Sequence, residues 1–559
     1  MDTVLTTLGL LTLVACSGLA TRFLPRVPLP LLQIALGAAL AWPDVGLHVP
    51  FDPGVFMLLF IPPLLFAEGW QIPKREFGNF RGLILVLAVG LVLATVAGLG
   101  ALIHAMVPGL PLSVACVLAA VLSPTDAVAV SAIAGRHRLP PGLQHVLEGE
   151  SLMNDASALV AMKFAVAATM THSFSLPRAA LDFVLMACGG VAVGVAFSWA
   201  FGLLHHRLLR WHEGHPVKPT VLLLLLMPFA PYLIAEHFGL SGILAAVAAG
   251  MTANMLDVKS SRFNASHLQT RATWDVISFA FNGLIFLLLG LQFPDILRHA
   301  PPPSHALGPP SGQHLPELFG AALLIMAALL ALRFAWLACL TGLPVWLARL
   351  RGRTPAARPS LVLLGVGALG GIRGAITLAA VLSVPLTLPD GTAFPARDLL
   401  IFQAAVAIVL SLVIGSVGMP WLLRKLDGSA ATAHEREERW ARKRASLAAV
   451  RLLDTVPAAL EPLADAAPGE ADADALAAVH ARVGHDYRRR LAQAAGDHRE
   501  RRASHWSTHL EKTLRLQALQ AERNELHRLR LRHQINDETL RTLVDELDRH
   551  EVALRGHGG

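Results

Sequence analysis

The stretch Gly149-Glu150-Ser151-Leu152-Met153-Asn154-Asp155 puts two carboxylates, a hydroxyl and an amide inside a long apolar segment. A carboxylate at bilayer depth costs roughly 2.5–3.5 kcal/mol on insertion scales. Groups kept at that cost are expected to work, and oxygen ligands in an apolar setting suit the holding and release of a cation or a proton. Ser151 and Asp155 are four apart and share a helix face, while Glu150 and Asn154 lie on the adjacent strip. Upstream stands Leu122-Ser123-Pro124-Thr125-Asp126, where Pro124 removes a backbone donor and the polar neighbours can satisfy freed backbone groups or turn toward a cation. Downstream, Gly365-Val366-Gly367-Ala368-Leu369-Gly370-Gly371-Ile372-Arg373-Gly374-Ala375 weakens a helix with glycines and sets Arg373 among them. Asp155 and Asp126, with the Thr125 and Ser151 hydroxyls, could build a hard-oxygen cage. Arg373 would neutralise remaining charge on Glu150 or Asp126.

Nucleophilic chemistry fits poorly. A G-x-S-x-G elbow around Ser151 needs glycine at 153, where Met153 stands. His212-Glu213-Gly214-His215 is not the zinc pattern H-E-x-x-H. The four cysteines, Cys16, Cys116, Cys188 and Cys339, are scattered through apolar stretches and form no metal or disulfide framework. A transporter, not an enzyme, is expected. A cation channel would conduct without a proton swap, and a membrane sensor would carry no flux.

The elements that must position these residues are membrane helices. The chain has 559 residues, 54% hydrophobic and only 16% charged, against about 25% charged in ordinary soluble proteins. Thirteen apolar runs read as spans: 3–21, 27–42, 53–70, 82–107, 112–134, 141–170, 179–205, 217–236, 239–256, 273–293, 317–347, 359–385 and 399–424. The N-terminal run has no Lys or Arg before it, so it reads as a first span and not as a cleaved signal. With the N-terminus outside, the loops assigned to the cytoplasm hold seventeen Lys and Arg residues, and the opposite loops only Arg178, Arg298 and Arg397. The net charge of +7 thus reports topology, not nucleic-acid binding. The C-terminus is then cytoplasmic.

Residues 1–425 form the expected membrane domain and 426–559 a charged helical cytoplasmic tail. The tail begins with HEREERWARKRAS, breaks near Ala466-Ala467-Pro468-Gly469 and kinks near Ile535-Asn536-Asp537. Its mixed charges at helical spacing read as a solvated face. Interrupted helices in corresponding positions of two halves point to a secondary transporter's site. Spans 4–6 and 11–13 as inverted repeats would cross the fifth and twelfth near the midplane.

The motifs Gly149-Glu150-Ser151-x-x-Asn154-Asp155, Thr125-Asp126-x-Val128-Ala129-Val130 and Gly370-Gly371-Ile372-Arg373-Gly374-Ala375 closely resemble, in this order, the bacterial sodium/proton exchangers of the cation:proton antiporter-1 family. The resemblance covers about residues 1–425. It implies an all-α polytopic fold with crossed, unwound helices, a homodimer in the cell inner membrane, and a role in pH homeostasis. It implies exchange of Na+, or of Li+ or K+, for H+, with no cofactor beyond these substrates and lipid as surroundings. Asp155 corresponds to the essential ion- and proton-binding carboxylate, Thr125 and Ser151 to cation ligands, and Asp126 to the same cluster. Asn154 resembles the residue that marks electroneutral members. Glu150 and Arg373 resemble a stabilising buried pair.

One motif departs from the pattern. Many relatives carry an acidic residue directly after the aromatic or apolar residue of the third span's Pro-Pro motif. Here Pro62-Pro63-Leu64-Leu65-Phe66 is followed by Ala67, with Glu68 one later. A one-residue shift turns a helical side chain by about 100°. Glu68 is therefore expected to line a passage or to pair with a base. Glu148 and Lys163 are further candidates for that passage, with Lys163 two turns beyond Asp155. Arg333 and Glu236-His237 read as structural or interfacial.

Overall fold

The computed structural model describes residues 2–24, 27–42, 53–72, 74–107, 109–135, 139–171, 176–209, 217–259, 264–298, 314–350 and 360–426, together with short pieces between 440 and 551. These residues are helical apart from connections and one isolated bridge, Thr387 to Ala393. The chain divides into two compact units, Met1–Ala430 and Ala431–Gly559.

In the first unit the helices run in order α1 (Asp2–Ala20), α2 (Leu29–Ala41), α3 (Pro53–Leu59), α4 (Ile61–Gln71), α5 (Lys74–Leu85) and α6 (Val92–Met106), with a π-helical stretch Val86–Leu91 joining the last two. Next come α7 (Leu112–Val121), α8 (Ala127–Ala134), α9 (Pro141–Thr171), α10 (Leu176–Leu209), α11 (Val217–Leu226) and α12 (Phe229–His237). The last are α13 (Gly242–Lys259), α14 (Asn264–Arg298), α15 (His314–Leu350), α16 (Leu361–Leu369), α17 (Ala375–Leu382) and α18 (Arg397–Arg424). Helix occupies each of the apolar runs marked from the sequence. Six segments among the described residues are long and apolar enough to cross a membrane: Gly54–Gln71, Phe77–Met106, Ala180–Leu204, Thr270–Arg298, Pro316–Leu343 and Arg397–Arg424. α9 is also long, at 31 residues, but carries Glu148, Glu150, Asn154, Asp155 and Lys163.

The largest buried apolar cluster takes in most of α7, α17 and α18 and part of α8. α7 and α18 are apolar on nearly every side and buried along most of their length, as expected of helices surrounded by other helices. A second packing centre joins α2 to α14 and α4 and α10 to α13. Small residues allow this approach. A Cβ added at Gly37 would overlap the Leu287 carbonyl oxygen, and one at Gly290 would overlap that of Ile34. In lipid, where apolar side chains gain little by leaving their surroundings, such close backbone packing is a main source of helix association.

In the second unit the described pieces are helical, with Arg523 Nη2 bonded to Glu551 Oε2 at 2.8 Å and Arg528 Nη1 to Glu525 Oε2 at 2.5 Å. The break at 466–469 and the kink at 535–537 expected from the sequence lie outside the described residues.

Gly37→Ala should cost about 1–3 kcal/mol by overpacking, because backbone and not a side-chain tip must move. Gly320→Ala, inside α15 with nothing within 4 Å of the added methyl, should instead raise stability by about 0.5–1 kcal/mol. Thermal unfolding of the two variants in detergent measures the difference.

Candidate functional site

The fifth and twelfth apolar runs are both broken, and the breaks meet. α7 ends at Val121 and α8 begins at Ala127, with Ser123-Pro124-Thr125-Asp126 non-helical between them. α16 ends at Leu369 and α17 begins at Ala375. Asp126 N donates to Ile372 O at 2.8 Å, and Arg373 Nε donates to Leu122 O at 2.9 Å. Arg373 Nη1 also donates to Gly371 O, and Arg373 N to Ser411 Oγ at 3.0 Å. The guanidinium thus rests on carbonyls at the C-terminal end of α7 and just beyond that of α16, where helix dipoles leave partial negative charge. Asp126 does the reverse. It caps α8, its Oδ1 accepting from Ala129 N at 2.9 Å. Its other carboxylate oxygen lies so close to Gly374, the residue before α17, that a Cβ there would overlap it.

α9 is stitched to the first break. Ser151 Oγ donates to Thr125 O at 2.7 Å and accepts from Ala127 N at 3.2 Å. Asn154 Nδ2 donates to Thr125 Oγ1 at 2.8 Å. A hydroxyl has two lone pairs, so the Ser151 and Thr125 oxygens each keep one for another partner. Beside them lies a cavity of about 40 Å³ lined by Asp155, Asp126, Thr125 and Ser151, by Glu68 of α4, by Asn282 of α14 and by Thr377 of α17. A single water needs roughly 10–15 Å³ on this measure, so the space suits a small ion with a water or two. Asp155 is buried, at 4% exposure, and among the described residues no hydrogen-bond donor reaches its carboxylate.

The sequence model described as "Sodium/hydrogen exchanger, transmembrane" matches residues 9–425. The chain belongs to the sodium/hydrogen exchanger family. The exchanger is 44% identical over 556 residues to the uncharacterized Na(+)/H(+) exchanger YjcE of Escherichia coli K12, covering 99% of both chains. It is 42% identical over 434 residues to a sodium, potassium, lithium and rubidium/H(+) antiporter of Bacillus subtilis, covering 76% of this chain and 62% of that one. Its fold is similar to that of the sodium proton antiporter MjNhaP1 of Methanocaldococcus jannaschii, with a TM-score of 0.54 at 18% identity over 76% of this chain and all of that one. The exchanger is therefore a membrane transporter and not an enzyme.

The geometry corrects two sequence readings. Glu150 does not pair with Arg373. Its carboxylate is held by both terminal nitrogens of Arg333 on α15, with Nη2 to Oε2 at 2.7 Å, and Arg333 Nε donates to Gly367 O at 3.0 Å. Arg373 is instead occupied by the carbonyls at the breaks. Asn154 does not line the cavity; it stands behind Thr125 and orients that hydroxyl.

The passage candidates separate. Glu68 borders the same cavity as Asp155, because Ile61, Leu64, Leu65 and Glu68 recur at helical spacing and form the cavity-facing stripe of α4. That spacing was available in the sequence as a signal. Lys163 turns away and approaches Glu236 at 3.6 Å, at the end of α12. Glu148 accepts from Gln144 at 2.8 Å and lies 3.6 Å from His145. Sequence reasoning missed Thr377 and Asn282 as cavity residues. Thr377 is the single polar side chain of α17 and Asn282 lies in the apolar middle of α14; neither belongs to a motif read from the sequence.

Arg333→Met leaves Glu150, only 1% exposed, without its partner and should cost about 3–5 kcal/mol. The double variant with Glu150→Leu should recover most of that loss. Melting temperatures of the two single variants and the double variant in detergent give the coupling; additive losses would show that the pair does not act as a unit.

Proposed function

We propose that the exchanger swaps Na+, or Li+ or K+, for H+, one for one and without net charge movement, by letting cation and proton compete for Asp155. The observation that carries this reading is the placement of the Asp155 carboxylate. It faces a cavity of about 40 Å³ at the junction of two helix breaks, with no protein donor among the described residues to hold it. A carboxylate already bound by an arginine, like that of Glu150, is neutralised within the protein. Asp155 must be neutralised by what enters.

The cation would be held by Asp155, Thr125 and Ser151 with the Asp126 and Glu68 carboxylates nearby; the proton would sit on an Asp155 oxygen. Either ligand displaces the other, and the loaded site then turns to the opposite side of the membrane by alternating access. We read the thirteen runs as spans with the N-terminus outside and the C-terminus cytoplasmic, in a homodimer of the inner membrane serving pH homeostasis. The two broken runs would be the crossed pair of inverted repeats, and Asn154 the mark of electroneutral exchange. The name of the Bacillus subtilis relative, which includes potassium, favours K+/H+ exchange as a second reading.

The test uses the purified protein in liposomes loaded with a pH dye. Addition of Na+ outside acid-loaded vesicles should raise the internal pH, and Li+ and K+ tested in turn rank the cations. Asp155→Asn should abolish the signal while eluting and melting like wild type; transport in that variant would sink the proposal. Competition also sets the pH dependence. Where the site is mostly protonated, lowering pH by one unit should raise the KM for Na+ up to about tenfold without lowering the maximal rate, as mass action requires. An imposed membrane potential should not drive exchange; if it does so strongly, the one-for-one reading fails.

A further inference from the structure

We propose that the Thr377 hydroxyl is a further ligand of the transported cation and helps to set which alkali cation the site accepts. This rests on the antiport reading above.

Thr377 is the third residue of α17 and lines the cavity that holds Asp155, Asp126, Thr125, Ser151 and Glu68. Its side chain is fully buried, and among the described residues its Oγ1 has no hydrogen-bond partner. Buried hydroxyls rarely stay unpaired, since each loses its hydrogen bonds to water on burial. Other threonines in this protein solve the problem locally. Thr95 bonds back to Leu91 O at 2.7 Å, Thr169 to Ala165 O at 2.9 Å and Thr252 to Ala248 O at 2.7 Å, each to the carbonyl four residues earlier.

Thr377 does not. Four residues before it stands Arg373, which lies in the break and outside the helix. The interruption that creates the site therefore also frees this hydroxyl. A neutral oxygen with two lone pairs is a suitable ligand for a hard cation and a poor proton carrier. Cations at a helix N-terminus are disfavoured, but the same cavity holds the Asp155, Asp126 and Glu68 carboxylates, which reverse the local sign. Because Thr377 comes from a different helix than Thr125 and Ser151, its oxygen sets the width of the ligand cage. Width is what distinguishes a small alkali cation from a large one.

Thr377→Val removes the hydroxyl and keeps the shape. Thr377→Ser keeps the hydroxyl. Thr169→Val, which loses only a back-bonded hydroxyl, is the matched control. Each is reconstituted in liposomes for KM with Na+, Li+ and K+, and each is melted in detergent with and without those chlorides. Thr377→Val should melt no lower than wild type without alkali cation, because it removes an unpartnered polar group. It should raise the KM for Na+ about tenfold, the loss expected for one hydrogen-bond-strength contact to a charge, change the Na+ to K+ ratio, and lose the cation-induced rise in melting temperature. Thr377→Ser should restore all three, and Thr169→Val should change none. Wild-type KM values and ratios in Thr377→Val would overturn the inference. So would a melting loss of the same size with and without cation, which marks a purely structural hydroxyl. If the valine variant does not fold, Thr377→Ala gives the same readouts. Should wild-type protein move no protons, the antiport reading fails, and the cation-dependent melting shift alone decides the role of Thr377: its loss in the valine variant supports the role, and its persistence or its absence from wild type refutes it.

Discussion

Backbone left open by two broken helices must be satisfied inside a membrane, where no bulk water is at hand. The exchanger meets this constraint by setting the breaks against each other. Asp126 N finds Ile372 O, Arg373 finds Leu122 O, and Asp126 caps α8. Opposite charges stand at opposite half-helix ends, Arg373 at the carbonyl ends and Asp126 at the amide ends. Ser151 and Asn154 then tie α9 to the same segment through Thr125. The cavity is what remains once these backbone needs have been met.

Buried charges fall into two sets with different fates. Glu150 and Arg333 satisfy one another, and the Arg373 guanidinium is held by the Leu122 and Gly371 carbonyls. These groups have little left to offer a ligand. Asp155 and Glu68 border the cavity with Asp126, which also caps α8. Removing a partner from the first set costs stability; in the proposed cycle, removing a member of the second costs exchange. The chemistry of the site thus follows from which carboxylates the fold leaves without an arginine.

Much of this was legible in the residues. Pro124 and the glycines of 365–374 marked the two breaks, because each weakens a helix by local chemistry that needs no neighbour. The four-residue spacing of Ser151 and Asp155 put both on one face of α9, and both line the cavity. The stripe Ile61, Leu64, Leu65 and Glu68 was equally readable, but the family pattern drew attention to a one-residue offset instead. Thr377 and Asn282 were not legible. A polar residue outside any motif is placed only by what packs against it.

The sequence by itself determined the class of protein, the positions of the apolar runs and breaks, and the cost of each charge kept among them. These depend on composition and on spacing within one helix. Only the tertiary structure decided partners. Glu150 lies 183 residues from Arg333 and binds it rather than Arg373, while Arg373 turns to the α7 carbonyl end. Two arginines carry the same charge, so the choice between them rests on distance and direction across helices, and those exist only once the helices are packed.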